Sequence, residues 1–357
     1  MFDFSGRIQK VQKTLLTGDA LWISQKEEVF YLSGFTGDDT VLVVMKDRLF
    51  FITDKRYTEQ LRYEVSIPYE LLLVESGRGR RECLLQLIKD HRIERLFVDK
   101  ASFPLALYEY LVRQVPSLEL SETRVVKDMR MVKDAVEIEV MKQNLMITEW
   151  GYAYIIRKTK PGKKEEELAT ELEYFLKKKG AKAFSFEPIV ASGYRTTLPH
   201  GTASSRVIEK GEVVMFDFGI LKNGYCSDFT RCFSPFKIKK PKILEIRRIV
   251  EQALRAAEEV VKPGVTAETV HQAAYRVIAD AGYAENFWHS TGHGVGVEIH
   301  EDPYLRFGNT QILQEGMIFT VEPGIYLPDE GFGIRLEDMV LVRKNGAEVL
   351  TQTDYKL

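Results

Sequence analysis

The chain has 357 residues, of which 45% are hydrophobic and 29% charged, and 50 Lys and Arg against 52 Asp and Glu leave a formal net charge of -2. That length exceeds one ordinary domain and suits two, each with enough chain for a core. The balanced charge excludes the electrostatic footprint of a nucleic-acid or anionic-membrane binder, and no stretch approaches the roughly 20 apolar residues of a membrane span.

Three cysteines, Cys83, Cys226 and Cys232, have no CxxC spacing and cannot all pair internally, which points to a reducing compartment. Met1-Phe2-Asp3-Phe4 lacks the basic region and apolar run of a signal peptide. The expectation is a cytoplasmic protein with small or neutral partners.

From Arg7 to about Leu16 apolar residues recur at helical spacing, and Ala20-Leu21-Trp22-Ile23 reads as a buried strand. Glu28 to Leu32 reads as short helical or irregular chain. Thr40 to Met45 and Leu49 to Thr53 form a hairpin rich in β-formers. Helices then follow around Arg56 to Tyr63, Arg81 to His91 and Pro104 to Gln114, with a strand at Arg95 to Asp99. This is an α/β domain without a phosphate loop or nucleophile elbow, assigned to residues 1–124.

Beyond it, from residue 125 to 357, long helical patterns take over. Val136 to Arg157 is one helix, closed by Lys160-Pro161-Gly162, and Lys164 to Lys179 is a second with Gly180 as its stop. Strands follow at Pro188 to Ala191 and around Asp217 and Asp228. A second helix pair, Pro241 to Val261 and Thr269 to Ala281, is again followed by strands, including Ile318 to Glu322 and Asp338 to Val342. Helix pair then strands, twice over, points to an internal duplication.

The chemistry concentrates in that second domain. Met215-Phe216-Asp217-Phe218-Gly219 and Gly224-Tyr225-Cys226-Ser227-Asp228-Phe229-Thr230-Arg231 flank Asn223-Gly224, the signature of a tight hairpin turn. A hairpin brings Asp217 and Asp228 together, and buried like charges require a cation. Further candidate ligands are His293, in Gly292-His293-Gly294-Val295-Gly296, Glu322, in Glu322-Pro323-Gly324, and Glu337, in Arg335-Leu336-Glu337-Asp338. Four carboxylates and one imidazole suit hard or borderline divalent ions and roughly balance two of them. A two-metal site of this kind suits hydrolysis.

These motifs, with Leu198-Pro199-His200-Gly201 before them and His300 among them, resemble the pita-bread metallopeptidases, in the branch of aminopeptidase P and prolidase. The resemblance runs over nearly the whole chain. It implies an N-terminal creatinase/prolidase-like α/β domain followed by a pita-bread catalytic domain with internal pseudo-twofold duplication. It further implies that Asp217 chelates one ion, that Asp228 and Glu337 bridge two, and that His293 and Glu322 complete the second ion's shell. The ions expected are Mn2+, with Co2+ or Zn2+ as alternatives. His200, His289 and His300 match substrate-contacting or transition-state positions, and Tyr326 and Arg335 fall near the site. The resemblance also implies a homodimer acting on peptides with proline in second position.

Competing readings are weaker on physical grounds. His289 and His293 have the spacing of a helical zinc motif, but Gly292, Gly294 and Gly296 each disfavour a helix by about 1 kcal/mol. Arg335 reads equally as a salt-bridge partner for a ligand carboxylate or as a substrate contact, and Tyr326 also reads as a packing residue. His271 falls in a helix and reads as structural or exposed. Methionine aminopeptidases resemble only the later domain, and a non-catalytic pita-bread binding protein would lack the intact ligand set. The expected reaction is hydrolysis of the bond between an N-terminal residue and proline. An occupied Arg335 would leave the exit side open, which favours aminopeptidase P, with Xaa-Pro dipeptidase as the alternative.

Overall fold

Continuous runs of Val, Leu, Ile and Phe become strands where both faces of a sheet are covered. The computed structural model, which describes residues 2–75, 77–238 and 240–355, places such runs in two units, Met1–Arg130 and Met131–Leu357. In the first, β1 (Asp19–Ile23), β2 (Val41–Met45), β3 (Leu49–Thr53), β4 (Glu70–Leu73), β5 (Arg95–Val98) and β6 (Glu119–Glu122) form a six-stranded sheet in the order β4-β3-β2-β1-β5-β6. Strands β1, β2 and β3 are buried at every position and pair antiparallel. The outer strands add in parallel.

The helices of this unit are α1 (Phe4–Thr14), α2 (Lys26–Ser33), α3 (Thr58–Glu64), α4 (Arg80–Asp90), α5 (Leu105–Gln114) and α6 (Val125–Met131), the last reaching the junction. Leu84, Leu87 and Leu111 pack with Trp22, Val43 and Phe50 in its core. Strands β4 and β6 lack an expectation from sequence because both lie on sheet edges and keep exposed positions. Pairing with β3 and β5, not a period-two pattern, makes them strands. Helix α6 likewise occupies chain read as a connection.

The second unit opens with α7 (Ala135–Ile155), started by a capping box. The Asp134 carboxylate accepts from the Val136 and Glu137 amides, and the Glu137 carboxylate accepts from the Asp134 amide. Its partner is α8 (Glu165–Lys178), after which come β7 (Ala183–Phe184), β8 (Ile189–Ser192), β9 (Val214–Asp217), β10 (Ile220–Lys222), β11 (Tyr225–Cys226) and β12 (Thr230–Phe233). The helix pair α9 (Pro241–Val260) and α10 (Ala267–Asp280) then precedes β13 (Gly292–Gly294), β14 (Glu301–Leu305), β15 (Ile318–Val321), β16 (Gly324–Leu327), β17 (Phe332–Arg335), β18 (Asp338–Arg343) and β19 (Gly346–Val349).

Each helix pair has its own apolar partner. Leu168, Leu172 and Leu176 of α8 cluster with Phe216, Phe218 and Phe229, whereas Val250, Leu254, Val270 and Ala274 cluster with Phe319 and Val340. Strands β8, β9 and β12 make one sheet, and β14, β13, β15, β18 and β19 another, in that order. The pita-bread order of elements inferred from sequence is thus realised as two helix-backed sheets. Among the described residues no helix is long and apolar enough to cross a membrane.

His271 of α10 is buried and hydrogen-bonds through Nδ1 to Thr291 Oγ1 at 2.7 Å, with Phe307 edge-on at 4.3 Å. Burial pushes its imidazole down to about 4, against the pull of the Glu268 carboxylate. Unfolded chain binds this proton at higher pH than folded chain does. Stability is therefore present above the unfolded pKa and is lost as pH falls towards the folded one. We expect this residue to account for a loss of about 2 kcal/mol between roughly pH 7 and pH 5. Urea unfolding of wild type and His271→Gln at both pH values measures it, and equal pH dependence in the two proteins would refute the assignment.

Candidate metal centre

Asp217 ends β9, with Thr230 of β12 directly opposite. Between these strands the chain runs through β10, a turn with Asn223 at φ 53° and Gly224 at φ 79°, and β11. Both turn residues are left-handed, as a tight Asn-Gly hairpin turn requires. The hairpin is nonetheless broken in the middle, because β10 and β11 belong with β7 while β9 and β12 belong with β8. At the break a Cβ on Gly219 would lie 1.7 Å from the Ser227 carbonyl oxygen, so only glycine allows the crossing. Asp228 stands in this gap, off the ladder.

His293 sits in β13, squeezed between β14 and β15, where a Cβ on Gly292 would meet the Thr320 carbonyl oxygen at 1.9 Å. Glu322 follows the last residue of β15, and Glu337 lies in the step between β17 and β18. Strand ends and breaks, together with the centre of β13, thus supply the candidate ligands from both halves. Oxygen atoms of Asp217, Asp228 and Glu337 lie within 4.8 Å of one another, and all three residues are buried. His293 Nε2 lies 3.3 Å from Glu322 Oε1 and 3.6 Å from Asp228 Oδ2, while its Nδ1 faces the Gly294 carbonyl oxygen at 3.1 Å.

Neighbouring groups hold these side chains in place. Thr230 Oγ1 donates to Glu337 Oε2 at 2.7 Å, Thr320 Oγ1 donates to Glu322 Oε1 at 3.2 Å, and the Phe229 amide donates to Asp228 Oδ1 at 3.0 Å. Arg335 pairs through Nη2 with Asp217 Oδ2 and donates through Nη1 to the Tyr326 hydroxyl at 2.7 Å and to the Pro199 carbonyl at 3.2 Å. The Tyr326 hydroxyl meets His289 Nε2 at 2.8 Å, and His289 Nδ1 meets the Ser290 carbonyl at 2.7 Å. Of the two readings of Arg335, the salt bridge to a candidate ligand is the one with a formed contact. Tyr326 does more than pack, since it joins that guanidinium to His289.

The electrostatics report a shortage of positive charge. Burial, then repulsion from Asp217, raises Asp228 well above the carboxylate range, and burial, then Asp228, does the same to Glu337. Burial also raises Asp217, although Arg335 opposes it. His293 resists charging through burial, yet Glu322 and Asp228 lift it to about 9, and Glu322, also buried, is drawn down to about 2 chiefly by His293. Burial lowers His289, and burial followed by His293 lowers His300 to about 4. Glu337 Oε1 is buried without a hydrogen-bond partner. An orphaned oxygen on one of three converging carboxylates is the chemistry of a divalent-cation site, and the residues present fit one.

A cavity of about 610 Å³ gathers His200, Asp217, Asp228, His289, His293, His300, Glu322, Arg335 and Glu337 in its lining. The sequence motifs, spread from Pro199 to Glu337, thus meet at one place. Phe186, Ile189, Thr202 and Tyr304 also line it. Sequence reasoning passed over these and the supporting Thr230 and Thr320. Thr230 was visible inside Asp228-Phe229-Thr230-Arg231, but nothing in a linear pattern marks Phe186 or Tyr304. Cys226 and Cys232 are buried and free, and the lining of this cavity includes neither.

Comparison with known proteins agrees with this geometry. Residues 139–344 match metallopeptidase family M24, and residues 7–132 match the creatinase/prolidase N-terminal domain. The chain is 37% identical over 347 residues to an Xaa-Pro dipeptidase of Pyrococcus horikoshii, covering 95% of this chain and 94% of that one. Its structure superposes on that of an Xaa-Pro dipeptidase from Bacillus anthracis with a TM-score of 0.92 at 34% identity, covering 99% of each. An X-Pro aminopeptidase from Thermotoga maritima gives 0.87 at 36% identity, covering 97% of this chain and 99% of that one. With the carboxylate cluster of a metal centre in a helix-backed two-sheet domain behind an α/β N-terminal domain, the chain belongs to the pita-bread metallopeptidases of family M24, in the aminopeptidase P and prolidase branch, and is a metallo-exopeptidase.

Proposed function

We propose that the protein is an Xaa-Pro dipeptidase, a prolidase, using two divalent ions, with Mn2+ first and Co2+ or Zn2+ as alternatives. The observation that carries the choice of a dipeptide substrate is the similarity over nearly the full chain to the Xaa-Pro dipeptidases of Pyrococcus horikoshii and Bacillus anthracis. Sequence reasoning favoured aminopeptidase P, and one finding still supports it as the second reading. Arg335, the single Lys or Arg among the described residues lining the cavity, is engaged by Asp217, Tyr326 and Pro199 and offers no free guanidinium for a substrate carboxylate. The Thermotoga maritima X-Pro aminopeptidase, of comparable likeness, supports the same reading.

In this proposal Asp217, Asp228 and Glu337, with His293 and Glu322 beside them, would hold the ions. When bound, the ions activate water and polarise the scissile carbonyl. The chain's own residues do the rest. The bond to proline is a tertiary amide whose nitrogen carries no proton, so the leaving secondary amine must receive one. Glu322, ionised at neutral pH, takes a proton from the attacking water and delivers it to that nitrogen. His200 and His300, at the cavity wall, steady the developing oxyanion or the leaving amine. His289 is held neutral by burial and oriented by Tyr326, facing the substrate as a fixed polar group. Homodimerisation and a cytoplasmic location complete the proposal, as the family resemblance and the free cysteines suggest.

Three measurements test these assignments. Chelation should lower Tm by about 5–10 °C relative to protein in a hundredfold excess of Mn2+ over its Kd, and re-addition should restore it together with hydrolysis. Full activity after verified metal removal would reject the metal centre. Asp228→Ala and Glu337→Ala should lose metal and activity together, whereas His300→Ala should keep its metal while kcat falls about 100-fold. Metal loss in His300→Ala equal to that in Asp228→Ala would remove the distinction. Finally, kcat/KM for an Xaa-Pro dipeptide should exceed that for the matching Xaa-Pro-Yaa-Zaa peptide by about tenfold or more. Preference for the longer peptide would establish the aminopeptidase reading, and cleavage of neither by metal-loaded protein would reject proline specificity.

A further inference from the structure

His200 reaches the cavity wall on a stretch with little regular structure. A short 3-10 turn, Gly193–Thr197, precedes it, and the chain from Leu198 to Ser205 belongs to no helix or strand. His200 is itself exposed, so its placement depends on how the backbone around it is held.

That backbone converges on one carboxylate. Glu165, the first residue of α8, has no solvent exposure. Its Oε1 accepts from the Ser192 amide at 2.7 Å and from Ser192 Oγ at 2.8 Å. Its Oε2 accepts from the Ser204 amide at 3.2 Å, from Ser204 Oγ at 2.7 Å, and from Arg195 Nη1. Arg195 also donates through Nη2 to the Thr202 carbonyl at 2.8 Å. One buried anion therefore binds both ends of the segment 192–204 and, through Arg195, the carbonyl of Thr202, two residues beyond His200. Facing the metal centre, Arg335 holds the Pro199 carbonyl.

We propose that Glu165 is the positioning residue for His200, fixing the segment 192–204 so that this imidazole stands at the reacting bond. The inference rests on the role assigned to His200 in the proposed reaction. Glu165 touches no substrate. Its carboxylate replaces water as the acceptor for five donors of the segment, and its place in the first turn of α8 favours the negative charge. Ordering of this kind matters to rate because a misplacement of about 1 Å can cost roughly 100-fold.

The test is a double-mutant cycle with Glu165→Gln, which keeps the size of the side chain, and His200→Ala. Glu165→Gln should lower kcat on an Xaa-Pro dipeptide by about 100-fold with metal stoichiometry unchanged. In the His200→Ala background the same substitution should change kcat by less than about twofold, because the group being positioned is absent. Amide hydrogen exchange should accelerate across residues 192–204 in Glu165→Gln while the helices α7 and α9 keep their protection. Equal fold-losses in both backgrounds, or unchanged exchange in the segment, would overturn the proposal. If Glu165→Gln does not fold, Ser204→Ala removes one donor only and should give the same pattern at smaller scale, with additive losses again overturning it. A wild-type protein inactive on both Xaa-Pro peptides would defeat the proposed function instead, and the exchange result would stand apart from it.

Discussion

Several carboxylates converge where water is largely excluded, and the protein supplies a single guanidinium to meet them. That imbalance is what the second domain is built around. Arg335 serves Asp217, and Glu322 and His293 satisfy each other. Asp228 and Glu337 are left with raised pKa values, and Glu337 Oε1 is left without a partner. Such an arrangement is costly for a protein alone and becomes favourable with a cation bound, so fold stability and metal occupancy are linked.

The architecture follows from where those candidate ligands have to come from. Each stands at a strand end, a strand break or the narrow centre of a glycine-flanked strand, and they are drawn from both helix-backed halves of the domain. Strand ends carry side chains away from the ladder while the paired backbone stays rigid, which suits a site needing tight placement. The close approaches at Gly219 and Gly292 pack the backbone to distances a side chain would prevent. The apolar faces of the helices behind the sheets cover these strands.

Around the ligands, hydrogen bonds pass orientation outward. Asp217 binds Arg335, Arg335 binds the Tyr326 hydroxyl, and that hydroxyl meets His289. Trp288 stacks on the Tyr326 ring, with centroids 5.2 Å apart and an interplanar angle of 21°. A carboxylate of the candidate metal cluster and His289 are thus mechanically joined. Because the guanidinium is committed to this chain of contacts, it is not free to meet a substrate carboxylate. That is why the length of the preferred peptide is a question about the far side of the cavity and not about the ligands.

Much of this was legible in the residues alone. Long helices carried a 3.6-residue pattern, capping residues and glycine stops, so α7 to α10 lie within a few residues of their expected positions. The convergence of the candidate residues on one cavity was legible through the resemblance of their ordered motifs to a known family, and Asn223-Gly224 can form only a restricted set of turns. Edge strands β4 and β6 were not legible, since their pairing comes from neighbours distant in sequence and not from their own pattern. The same holds for Glu165, which sequence presents as one of three glutamates in Glu165-Glu166-Glu167. Only the tertiary structure buries it and brings Ser192, Arg195 and Ser204 to it. Sequence determines which groups are available and what local backbone they prefer. Their burial, and the partners that set their charge and orientation, are decided by long-range packing that no local pattern encodes.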